Sequence, residues 1–548
     1  MKNLKKLISV FLCAVLCCSA FALSAQAKTA KKYVKSISVA KKATITIPSN
    51  KKTVTQKYKV TVKVKGNASK KFTAKSNKTS VATVKISGSY VKVTAKKAGK
   101  ATITVTAKAK SSKNKKLSKK LTVTVKKTSA PIPSPEQDEK AVGNLSRKGY
   151  ELEQVVILSR HNIRSPLSSD DSVLGTITPY TWFNWSSNPS ELSLRGGVLE
   201  TEMGQYFRKW LESEKLIPEN YHPEDGAVRV YANSKQRTIA TAQYFTSGML
   251  PTAKTQIETH MEFDKMDPVF TPQLTFVSPE YNADAVKQVR NLYKDKVNSL
   301  ADNYTLLSDV IDMKNSKAFK DGTVGEFRTD DTQLVLEMEK EPSMKGSLKT
   351  ACSVSDALVL QYYEESDAQK AAFGKNLTAE QWSQISEVKD VYGDVLFTAP
   401  LIASNVAHPL LKEINKELTT DGRKFTFLCG HDSNVGSVLA ALGADDYELP
   451  GAIEAKTPIG CKLVFSRWKN SNGNKYCSVD MVYQTTAQLR TAPLLDLENH
   501  PAVVPMSFPG IETNADGLYP EQSFLTLLQN SIDEYDNIVK DYTVEIAA

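Results

Sequence analysis

Residues able to do chemistry gather at three places in the chain. The first is Arg160-His161-Asn162-Ile163-Arg164-Ser165-Pro166, one serine after the apolar run Val155-Val156-Ile157-Leu158. Two guanidiniums flanking one imidazole favour a bound dianion, because each offers a planar fork of donors matched to phosphate oxygens. An imidazole held against such an anion is a nucleophile for phosphorus. Average composition gives Arg-His-x-x-Arg-x-Pro roughly one chance in a thousand in a chain this long, so a basic surface turn is the poorer account. The second place is Arg237, within Asn233-Ser234-Lys235-Gln236-Arg237-Thr238 and after the run Val228–Ala232. The third is His431-Asp432, after Phe425-Thr426-Phe427-Leu428-Cys429-Gly430.

Together these residues suit phosphoryl transfer. A histidine nucleophile must be neutral, and neighbouring guanidiniums depress its pKa by charge repulsion. His161 is then expected to attack phosphorus and become a phosphohistidine, with Arg160, Arg164, Arg237 and His431 on the equatorial oxygens. Asp432, beside a bound phosphate dianion, is expected to have a raised pKa, to protonate the leaving alkoxide and afterwards to activate water. The arginines supply the positive charge, so neither a metal nor another cofactor is called for. A His-Asp pair also occurs in metal-dependent phosphohydrolases, but those need further His and Asp ligands from helices. Only six His exist here, and His431 follows a strand-like run. His222, His260, His408 and His500 have no partner motif and read as surface or packing residues. Cys429, in an apolar strand, reads as an inert core thiol.

The elements that must position these groups follow from periodicity. Each apolar run reads as a buried strand carrying its reactive residues at the C-terminal end, where open α/β sheets bind ligands. A helical face follows each one: Leu199, Met203, Tyr206, Phe207, Trp210 and Leu211; then Ile239, Ala242 and Phe245; then Val435, Val438, Leu439 and Leu442. Arg237 falls on the first turn of the second helix, an end that itself favours anions. Leu463–Phe465 and Val479–Tyr483 flank Ser471-Asn472-Gly473 as a hairpin. Residues 280–420 are mostly helical in pattern, most clearly at Ala379–Val388 and Val406–Leu418, and are expected to cap the site. The expected fold is α/β, a three-layer αβα domain over residues 144–548 with a helical cap.

The rest of the chain has another character. Residues 1–27 combine a basic start, an apolar stretch and Ala25-Gln26-Ala27, an export segment by pattern. The mature chain is therefore expected to be exported, extracellular or envelope-associated, and periplasmic if the source has an outer membrane. No later run is apolar enough to span a bilayer. Residues 33–127 alternate β-branched residues with Lys or Thr, as in Ala43–Ile47, Tyr58–Val64, Val91–Thr94 and Ala101–Thr106, and read as an all-β sandwich. Thr128–Pro135 and the acidic run after it form a linker over 128–143. The net charge of +13 hides two opposite halves: residues 28–127 hold 30 Lys and no Asp, Glu or Arg, residues 1–27 add three Lys, and residues 128–548 are left with −20. So many lysines exceed what solubility or edge protection needs, and an anionic cell-envelope polymer is the expected partner, rather than nucleic acid. Cys352, Cys429, Cys461 and Cys477 remain after residue 27 and allow three full pairings, which a core of this size does not require.

Residues 145–540 resemble the histidine acid phosphatases of the histidine phosphatase superfamily. Arg160–Pro166 matches their Arg-His-Gly-x-Arg-x-Pro with Asn162 in place of the usual Gly, His431-Asp432 matches their distal His-Asp, and Arg237 their third phosphate-binding arginine. Ser159–Asn162, Gly196–Glu200, Ala232–Phe245, Met266–Pro268, Leu360–Glu364 and Thr457–Gly460 are most similar to the periplasmic glucose-1-phosphatase branch. The resemblance implies a phosphoric monoester hydrolase acting on small sugar phosphates, with Glu364 reaching from the cap to the sugar. A broad acid phosphatase or phytase is the sibling alternative, although the phytases favour Thr after the motif proline and His-Asp-Thr, where Leu167 and Ser433 stand. An inactive surface-binding protein is opposed by the intact motif residues. Ser76–Val84 with Ala98–Val105 resembles the bacterial Ig-like domains of group 2.

Overall fold

The computed structural model describes residues 32–47, 53–97, 99–127, 142–167 and 172–543. The expected export segment and nearly all of the expected linker lie outside the described residues. The chain divides into two compact units, one ending at Pro131 and the other beginning at Ile132.

The first unit is all β. Lys42–Ile47, Ser118–Lys127, Gly99–Ala107 and Phe72–Ser76 form a four-stranded sheet in that order, and Val54–Lys59, Tyr90–Ala95 and Ala82–Ser87 a three-stranded one. Alternate residues point inward, so Ile45, Ile103, Val105, Val123 and Val125 of one sheet share a core with Ala82, Val91 and Val93 of the other. The run Tyr58–Val64, expected as one strand, is two. Residues up to Lys59 pair with Tyr90–Ala95, whereas Thr61–Lys65 pair with Tyr33–Ser38. The chain changes partner at Val60, whose N–H is taken by the carbonyl of Ser89.

The second unit is built on one mixed sheet. Its labelled elements, in chain order, are β1 (Tyr150–Arg160), α1 (Leu194–Ser213), β2 (Val228–Ala232), α2 (Gln236–Met249), α3 (Ser347–Glu364), α4 (Ala379–Phe397), α5 (Pro400–Thr419), β3 (Phe425–Gly430), α6 (Asp432–Ala441), β4 (Lys462–Asn470), β5 (Lys475–Tyr483), β6 (Ala502–Pro505) and α7 (Glu521–Tyr542). The sheet order is β2-β3-β1-β4-β5-β6. The first three strands are parallel and the rest antiparallel. Parallel strands need both faces covered, and the β1 sequence supplies apolar residues on each. Val155 and Ile157 join Phe207, Trp210 and Phe245 of α1 and α2, while Val156 and Leu158 join residues of α5, α6 and α7. Each fully buried Leu, Val or Phe contributes about 1.5–3 kcal/mol.

Two features fix the strand ends. Register sets Arg160 opposite Gly430, and Ala232 opposite Cys429, so all three parallel strands finish at one level. The helices α1 and α2 touch backbone to backbone. A Cβ on Gly204 would stand 2.1 Å from the Phe245 carbonyl oxygen, and one on Gly248 would stand 2.1 Å from that of Thr201. Any larger residue there would push α2, and Arg237 with it, off the sheet.

The segment 280–420 is mostly helical, interrupted by a small hairpin of Gln333–Val335 and Ser343–Lys345, with Pro279–Ser299, Ala301–Val310, α3 and α4 sharing one apolar cluster. Its last helix has a different place: α5 buries Leu410, Leu411, Ile414 and Leu418 against the sheet-side cluster, so it is part of the outer layer. No helix of the described residues is long and apolar enough to cross a membrane. All four described cysteines are free thiols.

Candidate active site

The three strand ends bring Arg160, His161, Arg164, Arg237, His431 and Asp432 together. Arg160, at the end of β1, is almost fully buried and already engaged. Its Nη1 donates to Glu454 Oε1 at 2.8 Å and to the Thr457 carbonyl at 2.5 Å, and its Nη2 stands 3.4 Å from Asp432 Oδ2. Arg164 donates to Asp356 Oδ2 at 3.0 Å and to the Ser165 carbonyl at 3.2 Å. Arg237, on the first turn of α2, makes no hydrogen bond or ion-pair contact among the described residues, Asp432, Asp264 and Asp356 acting on it only from a distance, and its Nε is buried and unsatisfied. Burial, with Arg164 beside it, draws its guanidinium down to about 10. A cation so placed calls for an anion from outside the protein.

The two histidine rings lie edge to face with centroids 5.5 Å apart. His161 Nδ1 is 2.9 Å from its neighbour's carbonyl, that of Asn162. A carbonyl only accepts, so Nδ1 carries the proton and the neutral ring keeps a lone pair on Nε2. Burial first, then Arg237, Arg164, His431 and Arg160, hold this imidazole well below its ordinary value, so it stays neutral in acid. His431 is oriented by Asn233. The Asn233 Oδ1 accepts from the Asp267 N–H at 2.9 Å, which turns its amide nitrogen toward His431 Nε2 at 2.7 Å. His431 Nδ1 is then the protonated nitrogen, free to donate. Burial and Arg237 keep this ring neutral too.

Asp432 begins α6 with its side chain 36 % exposed, far more open than Arg160, Arg164 or the two histidines. The raised pKa is expected beside a bound phosphate dianion; the unliganded site has the opposite balance. Burial pushes the carboxyl up, but Arg160, Lys389, His161 and Arg164 outweigh it and hold the group well below the usual carboxylate range. The reason is local charge: without phosphate, Asp432 is the nearby counter-ion for Arg160 and for Lys389, each 3.4 Å away.

Glu364 ends α3, where its Oε2 accepts from Ser193 Oγ at 2.8 Å beside Arg195. Burial pushes its pKa up, against Ser193 and Arg195. Two turns earlier on the same helix, Asp356 is the residue that meets the arginine cluster, through Arg164. Sequence reasoning missed Asp356, Lys389 and Glu454. Lys389, on α4, bonds Glu454 at 2.8 Å as well as facing Asp432. Glu454, fully buried, also accepts from Tyr363 Oη and the Ile459 N–H, and its two cations bring it down to about 2 against the effect of burial. Its closeness to Thr457–Gly460 was the only available signal. Behind His161, the Asn162 side chain donates to Glu200 at 2.8 Å, and Glu200 pairs with Lys462 at 2.7 Å, both of that pair being wholly inaccessible.

The remaining histidines are outside the cluster. His408 stacks on Tyr535 with ring centroids 3.7 Å apart, and His260 bonds Glu258. Cys429 is buried and its thiol is pushed up by burial.

Comparison with known proteins gives the following likenesses. The defining pattern of the histidine phosphatase superfamily (branch 2) matches residues 151–484, and that of the bacterial Ig-like domain (group 2) matches residues 33–118. The glucose-1-phosphatase of Providencia rettgeri is 37 % identical over 389 residues, 70 % of this chain and 92 % of that protein. The glucose-1-phosphatase of Salmonella typhimurium is 37 % identical over 396 residues, 72 % and 92 % of the two chains. Among solved structures, the apo form of Hafnia alvei phytase superposes with a TM-score of 0.65 at 27 % identity, over 71 % of this chain and 99 % of that one. With the site's geometry and these likenesses in agreement, the chain belongs to the histidine phosphatase superfamily, branch 2, as a histidine acid phosphatase preceded by a bacterial Ig-like domain.

Proposed function

We propose that this enzyme hydrolyses small sugar phosphates such as glucose 1-phosphate through a phosphohistidine on His161. The observation that carries the reading is the unpartnered Arg237 guanidinium beside a histidine whose Nε2 lone pair is free. The phosphate dianion takes the donors of Arg237 and the remaining donors of Arg160, Arg164 and His431. His161 Nε2 forms the bond to phosphorus as the bond to the sugar oxygen breaks. With the dianion neutralising the arginines, the Asp432 carboxyl is free to bind a proton, which it gives to the leaving oxygen. It then takes a proton from the water that attacks the phosphohistidine, releasing phosphate. Glu364, beyond the arginines at the end of α3, meets the sugar hydroxyls.

The relatives named glucose-1-phosphatase support a sugar phosphate, and the phytase likeness keeps inositol phosphates as the second reading. The cap charges favour the first. Asp356 faces Arg164, and Glu341 acts electrostatically on Arg237 and Asp432, while the cap's Lys389 is already paired with Glu454. That balance suits a substrate with one phosphate group. The lysine-rich Ig-like unit has a separate task, in this reading, as a binder of an anionic envelope polymer.

Two measurements test the enzyme reading. Purified protein is assayed on glucose 1-phosphate, other hexose phosphates, phytate and p-nitrophenyl phosphate, with glucose 1-phosphate expected to be preferred. Labelled substrate quenched in base should leave an acid-labile, base-stable phosphoryl group that His161→Ala lacks. Label on Ser159 or Ser165 would overturn the mechanism, and no turnover of any ester would overturn the function.

A further inference from the structure

The four-stranded and three-stranded sheets of the Ig-like unit carry their lysines differently. On the four-stranded sheet each outward lysine stands opposite a threonine: Lys100 opposite Thr124, Lys75 and Lys120 both opposite Thr104, and Lys42 opposite Thr122. On the three-stranded sheet Lys57 pairs with Lys92 and Lys92 pairs with Lys85, so three lysines form one unbroken row across all three strands. Threonines 55, 94 and 83 make the parallel row on one side. Lys59, Tyr90 and Ser87 make the row on the other, with the Tyr90 ring partly exposed.

Like charges directly opposite one another destabilise a sheet, and threonine is the better strand former at such positions. Neighbouring strands lie about 4.8 Å apart, so three ammoniums share a row roughly 10 Å long. No carboxylate offsets them, because residues 28–127 contain neither Asp nor Glu. The neighbouring sheet shows that the same sequence style can separate its lysines with threonines. A row that is costly in the free protein and uncompensated within it suits a ligand that brings a row of negative charges.

We propose that the outer face of the three-stranded sheet, centred on Lys57, Lys92 and Lys85, is the docking surface for a linear polymer of repeating phosphodiesters in the cell envelope. The inference rests on the anionic-polymer reading of this unit given above. Lysine is a point-charge binder of phosphate, and the unit has no arginine for the planar, bidentate recognition that carboxylates and base edges reward. The polymer lies across the strands along the lysine row, its backbone flanked by Tyr90 and the threonines. Residues 1–27, an export segment by pattern, favour an envelope polymer over nucleic acid.

The test uses the full chain and poly(glycerol phosphate), with single-stranded DNA of equal phosphate number and neutral dextran as comparisons. The row variant is Lys57→Thr, Lys85→Thr, Lys92→Thr. A control of equal charge, Lys75→Thr, Lys100→Thr, Lys120→Thr, alters the other sheet. Removing one lysine–phosphate pairing takes about 0.7 from the slope of log affinity against log salt, so the row variant should lose about 2 in slope and on the order of a hundredfold in affinity at 0.1 M salt. The control should change by no more than a few-fold, and both variants should turn over glucose 1-phosphate as the native chain does. The row variant should also melt no lower than the native chain, which separates lost binding from lost folding. Equal losses in row and control variants would overturn the surface while leaving the polymer reading in place. Absence of binding by the native chain at low salt would overturn both. Tighter binding to DNA than to poly(glycerol phosphate) would overturn the envelope assignment.

Discussion

Arg237 sets function against stability in a way that can be measured. Its guanidinium, mostly buried and without an acceptor, has its pKa drawn from the ordinary 12.5 to about 10 by burial and by Arg164. At 1.36 kcal/mol per pKa unit, keeping the charge there costs the unliganded fold on the order of 3 kcal/mol. The sign is that of a depressed base: the penalty is present at every pH below about 10 and is relieved only above it. Arg237→Met removes the charge and keeps an apolar stem, so the unliganded protein should gain about 1–3 kcal/mol. Spread over roughly 400 residues at about 2.1 cal/mol/K each, that gain raises Tm by about 1–4 °C. Activity should move the other way. Loss of one donor aimed at transition-state charge costs about 2.7–4 kcal/mol, or 10²–10³ in kcat/KM. Calorimetric melting of native and variant chains, with and without inorganic phosphate, together with turnover of p-nitrophenyl phosphate, decides the matter. Phosphate should stabilise the native chain and scarcely affect the variant. A variant that melts below the native chain without phosphate, or gains as much from phosphate, would refute the claim that Arg237 waits unpaired for the anion.

Three further outcomes follow from the site. Asp432→Asn should slow alkyl phosphates far more than aryl phosphates with acidic leaving groups, since only a basic leaving oxygen needs a proton; equal losses on both would remove Asp432 from the acid role. Because folding depresses the pKa of His161 and His431, the unfolded chain takes up protons near pH 6.5 that the folded chain refuses until far lower pH, so stability must fall as pH drops below 6.5. His161→Asn should flatten the fall in Tm between pH 6.5 and 4.5, and the native kcat/KM should not drop with an apparent pKa of 6.5. Glu364→Ala should weaken turnover of glucose 1-phosphate while leaving p-nitrophenyl phosphate nearly untouched; parallel losses would place Glu364 outside the sugar site.

What the sequence reveals of this site depends on how far each residue lies from a strand end. Arg160, His161, Arg164, Arg237, His431 and Asp432 each lie within six residues of an apolar run, and parallel register alone brings those ends together. Asp356 and Lys389 sit in helices whose periodicity gives them no distinction from solvated charges, and only the packing of the cap reveals that they face inward. Asn233 was visible as part of a helix-opening segment, but its bond to His431 spans 198 positions of sequence. The raised pKa expected for Asp432 belongs to the phosphate-bound site, whereas the free site answers to Arg160 and Lys389. The helix Pro400–Thr419 shares the pattern of the cap helices before it. Its apolar stripe, Leu410, Leu411, Ile414 and Leu418, fits a sheet face as well as a helix face, so periodicity could not say which it would cover.

The buried Glu200–Lys462 pair also bears on how the sheet assembles. Lys462 pairs with Ser159 at the edge of the site, and its ammonium lies on the α1 face of the sheet, over the rings of Phe245 and Phe427. Side chains alternate along a strand, so a one-residue slip of β4 against β1 would carry Lys462 to the opposite face and leave Glu200 sealed in with no cation. An uncompensated buried charge of that kind costs about 3–5 kcal/mol, a large share of the stability of any domain. Apolar strands such as β1 and β4, with hydrophobic residues on both faces, would otherwise tolerate the slip. The ion pair thus penalises any alignment of β4 on β1 other than the one that sets Lys462 opposite Ser159, at the edge of the site.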